Sequence, residues 1–511
     1  MANLIAPFAN AKPEEIALVD DFGETTWTDF NERVNQLVQA LRDKGLKTGD
    51  AFAVLSGNRR EYFEAFAAAA HGGWLLVPVN WHLVAKEVAY ILADSGSKAL
   101  LVDSRFIELA EATMLQPQRP NLDVVVIMGT EADTFADETE QAVSYEEFLS
   151  EQATAEPEDQ LLGGPMFYTS GTTGHPKGVK SGLSQTGAPV DVLKMIGEGI
   201  SGMLGITSGG KSLLVGPVYH SAQWAFSFLP LLAGTSVIMR HKFDGEEVLK
   251  LIDQYQITNT HLVPTQFTRM LRLGDEIRKA FDGSSLGAVW HGAAPCPPQI
   301  KRRMIEWWGP VINEYYGSTE GSIVTTVSSE DWLSRPGTLG KPVAIMEILV
   351  IKEDGSHAEA GESGTLYVKN LMGSDFEYHN APEKTLDAHL EPGVFTFGDV
   401  GYLDEDGYLF MSDRKIDMII SGGVNIYPAE IEGTLIDHPA IMDAAVFGVP
   451  NEEFGEEVKA AVELAEGIQA SEQLTEDLIG HCREHLAGFK VPRSVDYEDQ
   501  LPRHPTGKLL K

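Results

Sequence analysis

The chain has 511 residues, with 39 Lys and Arg against 75 Asp and Glu, and 43% of it is hydrophobic. That is enough for about three domain-sized units and more than one core, and the aliphatic and aromatic content excludes a disordered polymer. A formal net charge of −36 argues against a general nucleic-acid binder, because counterion release needs a basic face, but it leaves room for small anions held by helix ends and single lysines.

The opening MANLIAPFANAKPEE has neither a basic segment nor a long apolar one, so no signal peptide is expected. No apolar run approaches a bilayer-spanning length. Cys296 and Cys482 are the only cysteines, too few for a disulfide framework and without a CxxC pair for zinc. These features predict a cytoplasmic protein with no stable membrane insertion.

Helix and strand signals then alternate. Phe30, Val34, Leu37, Val38 and Leu41 recur at helical spacing, with Gly45 as the stop. Ala51–Ser56 reads as a buried strand, Arg59–His71 as an Ala-rich helix, and Leu75–Asn80 as the next strand. After an acidic, loop-like stretch at 130–160, the same alternation returns. Ser236–Arg240 is expected as a strand, Gly245–Tyr255 as a helix and Thr260–Thr265 as a strand. Alternation of this kind predicts parallel pairing and α/β layers. From Gly337 the texture changes to short alternating segments, Met346–Ile351 and Gly364–Asn370, separated by turns, which predicts antiparallel β structure. A small α+β unit follows Arg414, with strands at Asp443–Val449 and Val458–Leu464 and an amphipathic helix near Ser471–Leu486. The expected architecture is α/β: a large multi-layer N-terminal domain over residues 1–413 and a small mobile α+β domain over 414–511.

The strongest chemical signal is the run from Tyr168 to Val179, YTSGTTGHPKGV. A Ser/Thr/Gly-rich loop offers backbone N–H groups and hydroxyls that can wrap a polyphosphate, and Lys177 adds a compact positive charge. It is not a Walker A loop, since no Gly-Lys-Ser/Thr closes it. Five further motifs follow in order: HGAAPCP (His291–Pro297), NEYYGSTEG (Asn313–Gly321), TFGDVGYLDEDGYL (Thr396–Leu409), DRKIDMIISGGVNIYPAEIE (Asp413–Glu432) and PRHPTGK (Pro502–Lys508). This ordered set resembles the acyl-adenylate-forming enzyme superfamily, and most of all its bacterial acyl-CoA synthetases.

The resemblance implies the following roles. Thr169, Ser170, Gly171, Thr172, Thr173, Gly174 and Lys177 form the phosphate loop. Gly292, Ala293, Ala294 and Glu314 lie along the adenine and the acyl carboxylate. Tyr315, Tyr316, Gly317, Ser318 and Thr319 continue the nucleotide site, Tyr316 offering an aromatic face to adenine and Thr319 a hydroxyl to phosphate. Glu320 is a hard oxygen ligand suited to Mg²⁺ shared with phosphates. Asp399 accepts hydrogen bonds from the ribose hydroxyls, and Arg414 supports the same nucleotide. His220 lies beside the substrate carboxylate, and Ser221, Gln223, Trp224 and Phe226 line the acyl pocket; Trp224 and Phe226 read equally well as ordinary core. Gly422 and Gly423 belong to a CoA-facing loop. Lys508 bridges the carboxylate and the α-phosphate during adenylation. Ile416 occupies the hinge, where a β-branched residue is stiffer than most.

The function implied is an ATP-dependent carboxylic acid–CoA ligase that makes acyl-AMP and pyrophosphate, then an acyl-CoA thioester. Its cofactors are ATP, Mg²⁺ and coenzyme A, and its partners a small carboxylic acid and, optionally, a second copy in a homodimer. The alternatives are an amide-forming ligase, in which an amine intercepts the adenylate, and an inactive nucleotide-binding regulator. Two decoys are set aside. His481, Cys482 and His485 lack a second cluster to complete a metal site, and Asp404–Gly407 lacks the spaced ligands of a calcium loop and reads as a hairpin turn.

Overall fold

The computed structural model describes residues 4–119, 121–129, 142–169, 176–414, 419–421, 424–451, 454–503 and 509. It divides into two compact units. The first comprises Met1–His261, Leu273–Val289 and Ser374–Leu386; the second comprises Leu262–Arg272, Trp290–Gly373 and Asp387–Lys511. The class is mixed α/β, with a large N-terminal part built on parallel sheets and a smaller α+β C-terminal part.

In the first unit, the strands Ala51–Leu55, Leu75–Val79, Ser97–Asp103 and Val124–Met128 pair in parallel within a six-stranded sheet. Three of these four strands are buried at every residue, as expected where helices cover both faces and alternation is lost. A second parallel set joins Ile16–Asp20, Ser236–Met239, Lys211–Leu214 and Asn259–Leu262. The helices between them start and stop where local chemistry dictates. Thr26 accepts the Asp29 N–H to cap Trp27–Asp43, and Asp244 accepts the Glu247 N–H to cap Gly245–Tyr255. Helix Arg60–Gly72 ends on Gly73 at φ +75°, the left-handed turn that glycine adopts without a Cβ penalty. Its Ala-rich face lets the helix sit close to the sheet, and Tyr62, Phe63 and Phe66 enter an aromatic core with Trp224 and Phe228.

The second unit carries the antiparallel structure. Met346–Ile351, Gly364–Asn370, Val394–Leu403 and Leu409–Arg414 pair in that order. Asp404 accepts the N–H groups of Asp406 and Tyr408 in the hairpin between the last two strands, a plain turn. Ile441–Asn451 and Gly455–Leu464 form a long antiparallel pair, with Ser494–Glu498 added in parallel. Helices Pro428–Ile436 and Glu472–His485 close a separate core around Ile431, Leu435, Val446, Val462 and Leu478.

Two expectations need correction. The acidic stretch 130–160 is not all loop, because Ala142–Ser144 is an edge strand and Ser144 caps helix Tyr145–Ser150. Tyr145 supplies the reason, since its buried hydroxyl donates to Glu64 at 2.7 Å and ties the helix to the core. The strand expected through Thr265 stops at Leu262, because Pro264 opens helix Pro264–Leu271 at a position where its missing N–H costs nothing. No helix among the described residues is long and apolar enough to cross a membrane.

His71, in the last turn of its helix, is fully buried with neither ring nitrogen hydrogen-bonded. Burial, reinforced by the Arg42 charge, pushes its pKa down to about 4, so the folded protein holds it neutral where the unfolded chain would protonate near 6.5. The stability it contributes is present above about pH 6.5 and is lost as pH falls through 4, about 3 kcal/mol in all. Between pH 7 and 4, wild type should lose about that much more stability than His71→Leu, read from urea denaturation at each pH.

Candidate active site

Strands Phe167–Thr169 and Lys177–Lys180 run antiparallel, with Thr169 opposite Lys177 and Tyr168 opposite Gly178. The two predicted phosphate-loop residues therefore face each other at the base of the 170–175 segment; Ser170, Gly171, Thr172, Thr173 and Gly174 lie outside the described residues. The frame is completed from far along the sequence. Strand Glu377–Tyr378 pairs with the outer side of Lys177–Lys180, and the His379 N–H donates to Gly178 O at 2.8 Å. The Lys177 ammonium sits 4.8 Å from the centre of the Tyr378 ring, a cation–π contact that steadies its direction while leaving its charge intact. Asp94 fastens the other side: its carboxylate accepts the Tyr168 hydroxyl at 2.7 Å, and its carbonyl accepts from His379 Nε2 at 2.9 Å and Asn380 Nδ2 at 3.1 Å. Asp94, Tyr378 and His379 carried no motif signal, because each acts through a partner distant in sequence.

The His220 segment lies in the same unit. His220 is the residue before the short helix Ser221–Ala225, its ring 4.5 Å from that of Tyr219. Ser221 is half-buried at the start of that helix. Trp224 is 1% exposed and stacks on Phe228 at 5.6 Å between Phe66 and Phe167. Gln223 turns the other way: its side-chain amide lies 2.9 Å from His261 Nδ1, with the Phe226 ring 4.7 Å from the imidazole. Burial lowers the His261 pKa to about 3, so this imidazole is neutral under all ordinary conditions.

The second unit holds the remaining motif residues. Strand Ile312–Ser318 carries Glu314, Tyr315, Tyr316 and Gly317 and pairs with Ser322–Val327 through a bulge at Tyr316/Gly317. Gly317 is required there, because a Cβ would stand 2.0 Å from Ser322 O. The Ser318 hydroxyl accepts the N–H groups of Glu320 and Gly321, both at 3.1 Å, and fixes the turn bearing Thr319 and the half-buried Glu320. The Tyr316 hydroxyl donates to Asp399 Oδ2 at 2.7 Å, and Asp399 lies opposite Arg414 in the strand pairing. The structure thus brings the predicted adenine and ribose residues together through one hydrogen bond. Gly292 packs against Tyr315, where a Cβ would meet the ring at 2.6 Å. Ala293 holds φ +66°, a left-handed backbone rare outside glycine, and leads into Ala294.

Glu314 is buried, and Lys301, 0% exposed, donates to its Oε2 at 2.6 Å. His291 Nε2 stands 3.7 Å from the same oxygen, and the Lys301 ammonium also lies 4.8 Å from the Trp332 ring centre. Burial pushes the Glu314 pKa up, and Lys301 pulls it back. Lys301 was overlooked in the sequence, although a signal exists: on helix Pro298–Trp308 it lies one turn before Met304 and Ile305, on the buried face. Lys508, Gly422, Gly423 and Ile416 lie outside the described residues. His481 Nε2 donates to Thr434 O at 3.0 Å, and among the described residues no three His, Cys, Asp or Glu side chains form a metal-binding group.

Removing one partner of a buried ion pair strands the other charge. Lys301→Met should lower stability by about 3–5 kcal/mol, and Glu314→Gln on that background should restore much of it, both read by urea denaturation.

Residues 6–372 match the AMP-binding enzyme family and residues 430–508 match the AMP-binding enzyme C-terminal domain. The long-chain-fatty-acid–CoA ligase FadD13 of Mycobacterium tuberculosis (strain CDC 1551 / Oshkosh) is 32% identical over 496 residues, spanning 95% of this chain and 92% of its own. The 2-succinylbenzoate–CoA ligase of Bacillus subtilis (strain 168) is 30% identical over 511 residues, spanning 100% and 96%. The structure of the Bacillus subtilis o-succinylbenzoate CoA synthetase MenE with ATP and magnesium ion aligns with a TM-score of 0.82 at 28% identity over 100% of this chain and 98% of that one; MenE has also been solved with its acyl-adenylate intermediate. The amide bond synthetase McbA from Marinactinospora thermotolerans, 24% identical over 99% and 97% of the chains with a TM-score of 0.82, shares the fold. Motifs, fold and full-length similarity agree: the chain belongs to the AMP-binding enzyme family, the adenylate-forming acyl-CoA synthetases.

Proposed function

We propose that this protein is an ATP-dependent carboxylic acid–CoA ligase. The observation that carries the reading is the facing pair Thr169 and Lys177 at the base of a Ser/Gly/Thr loop, in a chain whose relatives are CoA ligases over their full length. Lys177 and the loop hold the triphosphate, and the Tyr316–Asp399 pair holds adenine and ribose. Glu320 suits a magnesium ion, because its turn is pinned by Ser318 and its carboxylate is a hard oxygen donor. The ion, when bound, neutralises charge on the phosphates. His220 positions the substrate carboxylate and Ser221 and Phe226 bound the acyl pocket, with Trp224 behind them. The carboxylate oxygen attacks the α-phosphorus and pyrophosphate leaves; the thiol of CoA then attacks the acyl carbon and AMP leaves. The barrier falls through positioning and through cations placed where negative charge grows, with no covalent enzyme intermediate.

Residues 1–413 form the adenylating domain and 414–511 a mobile domain that turns about Ile416. In one orientation it brings Lys508 to the α-phosphate; in the other it brings the Gly422–Gly423 loop to CoA. ATP and CoA are cytoplasmic metabolites, which supports a cytoplasmic enzyme.

Purified protein with Mg²⁺, ATP and a panel of linear, aryl and ring acids should release pyrophosphate and, on adding CoA, form a thioester. Product formed only with amines would replace this reading by amide synthesis. No turnover with any acid would leave a nucleotide-binding protein. Glu320→Gln should nearly abolish pyrophosphate release, with the largest loss at limiting Mg²⁺. Lys508→Ala should lose acid-dependent pyrophosphate release on the order of 100- to 1,000-fold, yet still convert supplied acyl-AMP and CoA to thioester at a near-normal rate. Equal loss in both half-reactions would exclude the two-orientation mechanism.

A further inference from the structure

The inference rests on the ligase reading, which puts His220 beside the substrate carboxylate, and concerns what holds His220 there. The chain leaves strand Lys211–Leu214 and reaches His220 through Val215, Gly216, Pro217, Val218 and Tyr219. Pro217 has no N–H to offer, so the stretch cannot continue a strand ladder and takes its partners from elsewhere. Asn58 supplies them. It is 2% exposed and lies between strand Ala51–Leu55 and helix Arg60–Gly72. Its Nδ2 donates to Gly216 O at 2.8 Å and to Arg240 O at 2.9 Å, and its Oδ1 accepts the Val218 N–H at 2.9 Å. Two carbonyls and one N–H leave only this orientation of the amide.

These bonds make a clamp. Gly216 O and the Val218 N–H flank Pro217, so the Asn58 amide fixes the proline from both sides. The Pro217 carbonyl then accepts the His220 N–H at 3.1 Å, and His220 O accepts the Trp224 N–H at 3.0 Å, which starts helix Ser221–Ala225. The bond to Arg240 O ties the clamp to the end of the neighbouring strand Ser236–Met239. Gly57 lets the Asn58 loop lie this close, since a Cβ there would stand 2.3 Å from His241 Nδ1. Further along, Phe66 of helix Arg60–Gly72 packs on Trp224 and Phe228. The backbone setting of His220 is thus dictated by a residue 162 positions earlier, through hydrogen bonds to main-chain groups alone.

We propose that Asn58 is a positioning residue for the adenylation step. It touches no reactant; it holds the Gly216–His220 turn, and with it the imidazole, at one setting against the incoming acid. Misplacing a group that orients a reacting carboxylate costs rate out of proportion to the stability lost. The effect falls on the acid and not on the nucleotide.

The test compares wild type, Asn58→Ala, His220→Ala and the double variant by pyrophosphate release, with one acid that wild type turns over. Asn58→Ala should lower kcat/KM for the acid by about 10- to 100-fold while KM for ATP stays within about twofold. On the His220→Ala background the same change should cost less than about twofold, because no imidazole is left to place. Losses that multiply overturn the proposal. So does a His220→Ala enzyme with wild-type kinetics, and so does an Asn58→Ala enzyme in which both KM values rise together. Ser212→Ala is the control for a lost buried hydrogen bond: it removes the hydroxyl that accepts Asn259 Nδ2 at 2.6 Å. It should leave kcat/KM for the acid near wild type, and a loss equal to that of Asn58→Ala overturns the proposal. Asn58→Asp keeps the acceptor for Val218 and loses both donors, and carries the same test if Asn58→Ala does not fold. Wild type alone gives a further reading. The Val218 and His220 amides should exchange with deuterium as slowly as those of Ser212, Leu213 and Leu214, and exchange at the rate of exposed loops overturns the proposal. Turnover without the coupling removes this inference and leaves the ligase reading standing; no release with any acid removes both.

Discussion

A carboxylate in a protein interior must meet a cation or give up its charge, and in the second unit that constraint organises the strand that carries Tyr316, Gly317 and Ser318. Glu314 is held at 2.6 Å by a lysine with no exposed surface. The pair fixes helix Pro298–Trp308 against strand Ile312–Ser318, so the backbone that continues into Tyr316, Gly317 and Ser318 starts from a rigid point. Tyr316 then passes this rigidity to Asp399 through its hydroxyl. Ion pair and tyrosine bond are two buried polar contacts on one strand, each stronger there than in water and each costly to break.

The first unit meets a different demand with similar means. The 170–174 segment, all Ser, Gly and Thr, makes a poor scaffold by composition. The rigidity comes from its borders. Asp94 takes the Tyr168 hydroxyl on its side chain and the His379 and Asn380 donors on its carbonyl, and Tyr378 lies beside Lys177. The loop itself can remain rich in Gly, Ser and Thr because its two strands are held from outside.

Much of this was legible in the chain. Parallel layers announce themselves through unbroken apolar runs such as Ala51–Leu55 and Leu75–Val79. The Ala-rich helix and its glycine stop are local facts that sequence states directly. What stayed hidden depends on partners brought close only by folding. Lys301 looks like one more basic residue in Lys-Arg-Arg until its burial is seen. Gln223 looks like a pocket residue, but its link to His261 spans 38 residues of sequence. The helix after Ser144 sat inside an acidic stretch whose charge outweighed the signal of Tyr145 and Phe148, two buried anchors in a run of glutamates.

Strand Glu377–Tyr378 also sets a timetable. Val179 pairs with Tyr378, so the outer edge of the loop hairpin has no partner until about 200 further residues have left the ribosome. At about 5–20 residues per second that interval is at least 10 seconds. Throughout it the nascent chain carries an open strand edge, a site where mispairing with other chains begins. The parallel sheet of Ala51–Leu55 and its neighbours is complete well before then, so the unit's core can form while strand Lys177–Lys180 is still open on its outer side. Completion of this three-stranded sheet is therefore a late event in the biogenesis of this protein, and a chain interrupted before residue 377 would lack the strand that braces Lys177–Lys180.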